Sequence, residues 1–172
     1  MKFQLLRDLG KALYASKICS YAQGLGIINA ASHANNWDIN LNDCARMWKG
    51  GCIIRAKLLN KIQAAVVSNP DLPNLLLDPM IAQELCDSAD SWRRVIISCA
   101  QHGIPCPSLG GSLTYYDSYR TVDSPANLTQ AMRDFFGGHT YERIDVAGPH
   151  HCAWTGTHKD IGNINERTKG EK

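Results

Sequence analysis

Apolar residues recur every three or four positions along most of the chain, which is the spacing of one face of an α-helix. The pattern predicts a long first helix over residues 3–31. Within this helix Leu6, Leu9 and Leu13 share one side, and the apolar spacing continues beyond them. A polar stretch at residues 33–43 then interrupts the pattern and predicts a turn.

Glycine and proline divide the rest of the chain into further helical segments. Asn40 or Asn42 is suited to cap a short second helix, which Gly50-Gly51 would end. Prolines within residues 70–79 break the chain after the third helix. The later predicted helices cover residues 52–67, 81–101, 108–119 and 126–136. No alternating pattern typical of strands runs for any length, so we predict an all-α fold of several helices.

Length and composition place this helical region in one domain. The 172 residues are 44% hydrophobic, which is enough for one sizeable core at roughly 100–200 residues per domain. We therefore expect one folded domain over residues 1–156. Residues 157–172 are polar and follow no period, which predicts a flexible tail.

Charge and cysteine content narrow the class of protein. A net charge of +2 argues against a nucleic-acid partner, because such proteins present a broad basic surface. No apolar run approaches the roughly 18 residues of a membrane span, and the first residues lack a signal core. The seven cysteines are odd in number and form no C-x-x-C motif, which is typical of a reducing compartment. We expect a cytoplasmic protein, without a membrane partner, whose thiols are mostly buried.

Residues 24–29 match the start of a dinucleotide-binding fingerprint. That fingerprint needs a preceding strand, because the pyrophosphate binds at the N-terminus of the helix that follows the strand and its turn. Gly24 and Gly26 lie inside a predicted helix instead, so close packing against another helix is the better interpretation.

His150, His151, Cys152 and His158 crowd near the end of the sequence. Adjacent side chains in an extended segment point in opposite directions. The spacing also differs from the usual zinc-ligand patterns, C-x-x-C or histidines four positions apart on a helix. We therefore expect no metal site.

Arg55 lies between bulky apolar residues. Its guanidinium either extends outward to water along its own aliphatic stem or reaches into a cleft. The residue pattern leaves both open, although arginine is rarely fully buried without a partner.

Arg133 and His139 flank two glycines at the predicted end of the last helix. Gly137 and Gly138 suit helix termination, because glycine adopts positive φ freely. A cation near the helix C-terminus gains about 0.3–1 kcal/mol from the helix dipole, which explains Arg133 without any ligand. The pair also has the chemistry of an anion site, because a planar guanidinium fork and an imidazole donor suit phosphate. Both interpretations remain open at this point.

Longer strings of the sequence are together characteristic of one protein family. These are ALYASKICSYAQG (12–24), WKGGCIIRAKLL (48–59), NPDLPNLLLDP (69–79), GIPCPSLGGSLTYYDSYR (103–120) and PANLTQAMRDFFGGHTYERID (125–145). In this combination the chain resembles the C-terminal domain of the decarboxylating 6-phosphogluconate dehydrogenase family. The resemblance covers roughly residues 1–156 in unbroken order.

The resemblance implies a large all-helical domain that follows an N-terminal Rossmann domain and forms most of a homodimer interface. Enzymes of the family oxidise 6-phosphogluconate with NADP and decarboxylate the intermediate to ribulose 5-phosphate in the pentose phosphate pathway. The family arginine that binds the substrate phosphate matches Arg55, in the I-I-R motif. The arginine and histidine of the R-D-x-F-G-x-H-T-Y motif match Arg133 and His139. In the family these two residues reach into the partner's active site and bind substrate.

The resemblance also indicates which functions lie outside this region. The family's nicotinamide-binding fingerprint, its catalytic lysine and its catalytic glutamate precede the matched residues in the family order. No catalytic or cofactor-binding residue is therefore expected in this chain, and we expect no dehydrogenase activity from the chain by itself. Two alternatives stay open: a non-catalytic helical dimerisation or interaction module, and a drifted pseudoenzyme that folds without binding substrate.

Overall fold

The structure, a computed structural model, describes residues 2–54 and 56–154, and helices dominate both ranges. Its α-helices are α1 (Lys2–Asn35), α2 (Leu41–Met47), α3 (Leu58–Ser68), α4 (Pro79–Gln101), α5 (Pro107–Tyr119) and α6 (Ala126–Gly137). A short 3-10 helix lies at Leu75–Leu77, and strands β1 (Tyr141–Glu142) and β2 (Pro149–His150) form an antiparallel ribbon. The predicted all-α fold class is confirmed. None of the described helices combines the length and the apolar character needed to cross a bilayer.

The chain divides into two compact units, the first ending at Tyr119 and the second beginning at Arg120. The first unit contains α1 to α5, and the second contains α6 with the ribbon. The predicted boundary between a folded domain, 1–156, and a tail, 157–172, lies outside the described residues. That boundary stays a prediction.

Small residues on α1 form the centre of the first unit. Ala12, Ala15 and Cys19 recur at helical spacing and are fully buried, and α4 and α5 pack on this face. By contrast Leu6 and Leu13, on the side that the leucine spacing suggested, are 61% and 67% exposed. The core therefore forms on the alanine face of α1, and the leucine face stays open to solvent in this chain.

The first helix runs past its predicted end before the polar turn begins. α1 continues to Asn35, and Asn36 and Asp38 then adopt left-handed conformations with φ of 55° and 52°. Asparagine and aspartate tolerate this region better than other non-glycine residues do. Asn40 then caps α2, because its Oδ1 accepts the Asn42 N–H at 2.9 Å. Of the two predicted caps, Asn40 is the one that the structure uses.

The third helix begins later than its apolar pattern predicts, at Leu58 instead of residue 52. Gly51, directly before the predicted start, adopts a φ of 74°, a left-handed conformation that keeps the preceding α2 segment from running on into α3. The Tyr21 hydroxyl donates to the Ile54 carbonyl oxygen at 2.9 Å, so a long-range contact replaces a helical hydrogen bond there. The early part of the prediction was wrong, because side-chain periodicity does not report such backbone contacts.

Among the described residues, the two glycines of the partial fingerprint do not serve close helix packing. A Cβ added at Gly24 or at Gly26 would meet no atom within 4 Å. Both residues lie inside α1, without the strand that a dinucleotide site requires. The packing interpretation is therefore wrong for the contacts within residues 2–54 and 56–154.

The thiols are less buried than the sequence predicts. Among the described residues Cys19 is buried, whereas Cys52 and Cys86 are exposed. Burial raises the pKa of the Cys19 thiol to about 12, which keeps it protonated. The expectation of buried, inert thiols therefore holds for Cys19 and is wrong for the two exposed cysteines.

A glycine in α5 gives a direct test of helix propensity. Replacing Gly111 with alanine is expected to raise the free energy of unfolding by about 1 kcal/mol, because no atom of the described residues lies within 4 Å of the added Cβ and alanine favours the helix. Urea unfolding followed by circular dichroism measures the change. The control with the opposite expected sign is Gly103→Ala. It should lower the free energy of unfolding, because Gly103 adopts a φ of 66° and alanine disfavours positive φ. Equal unfolding midpoints for the two variants would contradict this expectation.

Candidate anion-binding site

The second unit is built around the end of α6. This helix ends at Gly137, and Gly138 adopts a φ of 58° while its N–H donates to the Asp134 carbonyl oxygen at 3.0 Å. A left-handed glycine in this position closes the helix and satisfies one of its last carbonyls. The predicted helix termination is confirmed, and the turn brings His139 back beside the last helical turn.

Arg133 and His139 meet beside this turn. Both residues are exposed, and Arg133 Nη2 contacts His139 Nε2. A guanidinium offers only donors, so this contact requires Nε2 of the imidazole to accept, with the ring proton on Nδ1. Nδ1 lies 3.4 Å from the carbonyl oxygen of Thr140, which is a suitable acceptor. Arg133 and His139, which the sequence offers as one possible anion-binding pair, therefore lie side by side at the surface.

Asp134 supports this turn from the interior, and its side chain is completely buried. Its Oδ1 accepts the Thr140 N–H at 3.0 Å and contacts His151 Nδ1 at 2.7 Å. Its Oδ2 accepts the Cys152 N–H at 3.0 Å and the indole N–H of Trp154 at 2.9 Å. Both carboxylate oxygens are therefore satisfied by donors from the segment that follows the helix.

The carboxylate of Asp134 is buried and forms no ion pair with the guanidinium of Arg133. Burial would raise the pKa of this carboxyl, but the hydrogen bonds from the following segment outweigh burial and lower the pKa to about 2. The group is therefore a carboxylate at neutral pH. Within the described residues Arg133 has no carboxylate partner. The guanidinium donors that do not meet His139 face no carboxylate of the described residues and suit an external anion.

A short ribbon carries the chain back to α6. β1 pairs with β2 so that Tyr141 lies opposite His150 and Glu142 lies opposite Pro149. Strands of two residues are too short to show an alternating pattern, which is why no strand was predicted there. The available signal was the turn dipeptide that begins at Gly148, where φ is 99°. The ribbon returns the chain to Asp134, and neither this return nor the role of that aspartate was predicted.

Other residues considered from the sequence do not join this site. Arg55 and His158 lie outside the described residues, so the role implied for Arg55 stays a prediction. In the part of the chain that the structure describes, no group of three or more His, Cys, Asp or Glu side chains is arranged to hold a metal. His151 is bound to Asp134, and His150 Nε2 lies 3.3 Å from a backbone carbonyl oxygen.

Known proteins match this chain over almost its whole length. Residues 1–154 match the family model described as 6-phosphogluconate dehydrogenase, C-terminal domain. The rice (Oryza sativa subsp. japonica) protein 6-phosphogluconate dehydrogenase, decarboxylating 1 is 54% identical over 153 residues, which are 89% of this chain and 32% of the relative. The spinach (Spinacia oleracea) protein 6-phosphogluconate dehydrogenase, decarboxylating 2, chloroplastic is 49% identical over 154 residues, 90% of this chain and 29% of the relative.

A solved structure has the same fold. The 6-phosphogluconate dehydrogenase of Plasmodium falciparum matches with a TM-score of 0.84 at 39% sequence identity, over 90% of this chain and 33% of that one. The chain thus spans about a third of the length of the relatives that it matches. Because sequence and fold agree over the same residues, the chain belongs to the family of the 6-phosphogluconate dehydrogenase C-terminal domain.

Proposed function

We propose that this chain provides the substrate-phosphate-binding and dimerising part of an NADP-dependent 6-phosphogluconate dehydrogenase. The complete enzyme would oxidise 6-phosphogluconate and decarboxylate it to ribulose 5-phosphate, a step of the pentose phosphate pathway. The observation that carries this proposal is the exposed pair Arg133 and His139, where the arginine faces no carboxylate of the described residues. The solved Plasmodium relative is described in complex with NADP+ and with its substrate 6-phosphogluconate, which names the ligands to test.

A sugar phosphate suits this pair chemically. The dianion accepts charge-assisted hydrogen bonds, and the arginine fork can bind two of its oxygens at once. His139 would supply a further donor once the anion replaces Arg133 beside Nε2 and that nitrogen, instead of Nδ1, carries a ring proton. Binding the phosphate, which is remote from the reacting carbons, lets binding energy orient the rest of the substrate. We therefore assign both residues to substrate binding and neither to proton transfer.

The proposed site is completed by Arg55, through family resemblance, and by a second copy of the chain. One strip of α6 supports a partner: Leu128, Met132 and Phe136, spaced four positions apart, are 70%, 57% and 76% exposed. Exposed apolar strips of this kind are typical of protein–protein contacts. In a homodimer Arg133 and His139 of one subunit would bind the substrate held by the other.

NADP and the catalytic acid and base belong, in this proposal, to an N-terminal domain of the complete enzyme. Hydride transfer needs a positioned nicotinamide, and decarboxylation of the keto acid needs acid–base groups of suitable pKa. The family resemblance assigns these functions to residues outside the matched region. The match to 32% of the rice relative is consistent with that division.

The proposed location is the cytoplasm. The free cysteines of the described residues fit a reducing compartment. One relative is named chloroplastic, so organelle import is the alternative. Cell fractionation with an antibody to this chain separates the two.

The isolated chain is expected to show no 6-phosphogluconate-dependent reduction of NADP, because the proposed cofactor site and catalytic groups lie elsewhere. Mixing it with the N-terminal part of a relative, such as the rice enzyme, is expected to restore turnover. NADPH absorbance measures both results. Turnover by the isolated chain would contradict the proposed division of roles.

The same mixture of this chain with an N-terminal part distinguishes the proposed function from the interaction module and from the pseudoenzyme. A double variant, Arg133→Ala with His139→Ala, is the control, because it should assemble equally well and support less turnover. A complex that forms without activity would favour the non-catalytic dimerisation or interaction module, which the exposed apolar strip of α6 also supports. A chain that stays monomeric by size exclusion and binds no 6-phosphogluconate would favour the drifted pseudoenzyme.

Replacing Arg133 alone with alanine is expected to weaken 6-phosphogluconate binding in the reconstituted enzyme by about 1.5–3 kcal/mol, the scale of hydrogen bonds to charged groups. The KM for 6-phosphogluconate should rise while the KM for NADP stays at its parent value. The matched control is Arg143→Ala, which removes an exposed arginine that pairs with Asp145 in the same unit. Unchanged affinity in the Arg133 variant would count against its assigned role.

A further inference from the structure

We infer that Asp134 is a positioning residue for the anion site: its buried carboxylate holds the turn that places His139 beside Arg133, a role that rests on the proposed function of that pair. Asp134 is 0% exposed, whereas Arg133 and His139 lie at the surface. Consecutive residues of a helix point about 100° apart, so one side chain of the Arg133–Asp134 pair can face inward while the other faces outward. The carboxylate therefore supports the site without neutralising it.

The carboxylate ties together two stretches of chain that the ribbon separates. Oδ1 accepts the N–H of Thr140, immediately before β1, at 3.0 Å. Oδ2 accepts the N–H of Cys152, shortly after β2, at 3.0 Å. One buried group on α6 therefore holds both ends of the ribbon, and loss of its charge weakens both attachments together.

The hydrogen bond to Asp134 maintains an unusual backbone conformation at Thr140. Its φ is 70°, a left-handed conformation that is costly for a β-branched residue. Such a conformation persists only where the surroundings over-determine the backbone. Here Asp134 accepts the Thr140 N–H, and Gln130 Nε2 donates to the Thr140 carbonyl oxygen at 3.2 Å. Two α6 side chains thus hold the peptide groups on either side of the Thr140 Cα.

The position of His139 follows from this strained turn. It lies between two left-handed residues, Gly138 with a φ of 58° and Thr140 with a φ of 70°. With both neighbours held, the backbone directs the imidazole toward the last turn of α6, where Nε2 meets Arg133. Loss of the hydrogen bond to the Thr140 N–H would free the peptide group between His139 and Thr140. The φ and ψ of His139 could then change and turn the imidazole away from the guanidinium.

The test uses the full 172-residue chain carrying Asp134→Asn, which keeps the side-chain size and removes the charge. Imidazole nitrogen shifts at mildly alkaline pH report which ring nitrogen carries the proton. His139 of the parent chain is expected to show one tautomer, with Nε2 as the acceptor, and His139 of the variant should average between both tautomers. A titration with inorganic phosphate, followed at the Arg133 side-chain N–H, should show about tenfold weaker binding in the variant.

Tyr141→Phe is the matched control. It removes the contact of Tyr141 Oη with Cys152 Sγ, at 2.9 Å, and leaves the carboxylate of Asp134 untouched. The control is expected to keep the parent tautomer of His139 and the parent phosphate affinity. If folded Asp134→Asn kept both as well, Asp134 would only stabilise the unit, and the positioning role would be overturned.

A second variant decides the question if Asp134→Asn does not fold. Trp154→Phe removes one donor to the carboxylate and keeps a ring against Phe135, which Trp154 contacts edge-on at 5.9 Å between centroids. It should show a partial loss of the His139 tautomer preference and a smaller loss of phosphate affinity. Parent values for both would overturn the inference.

The positioning role and the proposed function fail in different ways. If the parent chain binds no phosphate at Arg133 and His139, the proposed function fails, and the tautomer comparison still decides what Asp134 does. If the parent binds phosphate and Asp134→Asn binds it equally well, the positioning role fails and the proposed function stands.

Discussion

Replacing Trp92 with alanine is expected to lower the free energy of unfolding of the first unit by about 3–5 kcal/mol, the usual cost of deleting a buried tryptophan. Trp92 lies on α4, is 0% exposed and stacks on Tyr116 of α5 at 6.3 Å between ring centroids. Its indole N–H donates to the Leu109 carbonyl oxygen at 3.2 Å. The variant would leave a cavity between α4 and α5 together with a carbonyl that has lost its donor.

Urea unfolding followed by far-ultraviolet circular dichroism measures this loss. Trp37→Ala is the matched control, because Trp37 belongs to the same unit and is 59% exposed. Surface substitutions usually change stability by about 0.5 kcal/mol or less. Trp92→Phe should fall between the two, since it keeps much of the ring packing and loses the N–H. Equal losses for the two alanine variants would show that the contact between α4 and α5 is not central to the core.

Acidification is expected to detach residues 140–154 from α6 between about pH 4 and about pH 2. Burial opposes ionisation of Asp134, yet the hydrogen bonds that it accepts lower its pKa from the ordinary 3.8 to about 2. Above about pH 4 the carboxylate is charged in the folded and in the unfolded chain, so its contribution of about 2 kcal/mol is complete. As the pH falls, the unfolded chain takes up the proton first, and the contribution is lost by about pH 2.

Hydrogen exchange at the amides of Thr140 and Cys152 reports this release, because both amides donate to Asp134. Arg143 lowers the pKa of Asp145 to about 2 as well, but that exposed ion pair contributes little to stability. Asp134→Asn is the control, because it has no charge to titrate and should leave both amides poorly protected at every pH. Equal protection of the parent amides at about pH 2 and at neutral pH would contradict the expected release.

The pairing of Arg133 with His139 could be predicted because it depends on local geometry. Two glycines end a helix in a known way, and the chain then turns back over the last helical turn. Six positions of sequence, joined by a glycine turn, are enough to bring the side chains together. The assignment of these residues to a phosphate required the family resemblance, since a helix dipole explains a terminal arginine equally well.

Asp134 could not be singled out from the sequence. An aspartate beside an arginine on a polar helix resembles an ordinary surface ion pair. Its partners lie between 6 and 20 positions further along the chain and reach it through a ribbon of two-residue strands. No periodicity of apolar residues marks such contacts, because they are made by backbone and side-chain N–H groups.

By itself the sequence determined the all-α class, the order of the helices, an asparagine cap at position 40 or 42 and the glycine stop after α6. Each of these depends on residues within a few positions of one another, because helical hydrogen bonds join positions four apart and the side-chain pattern repeats at the same scale. Only the tertiary structure decided which face of α1 is buried, where α3 begins and which way Asp134 points. Those outcomes depend on atoms far apart in the chain, such as the Tyr21 hydroxyl at the Ile54 carbonyl, and the burial of a polar group is settled only when such partners meet.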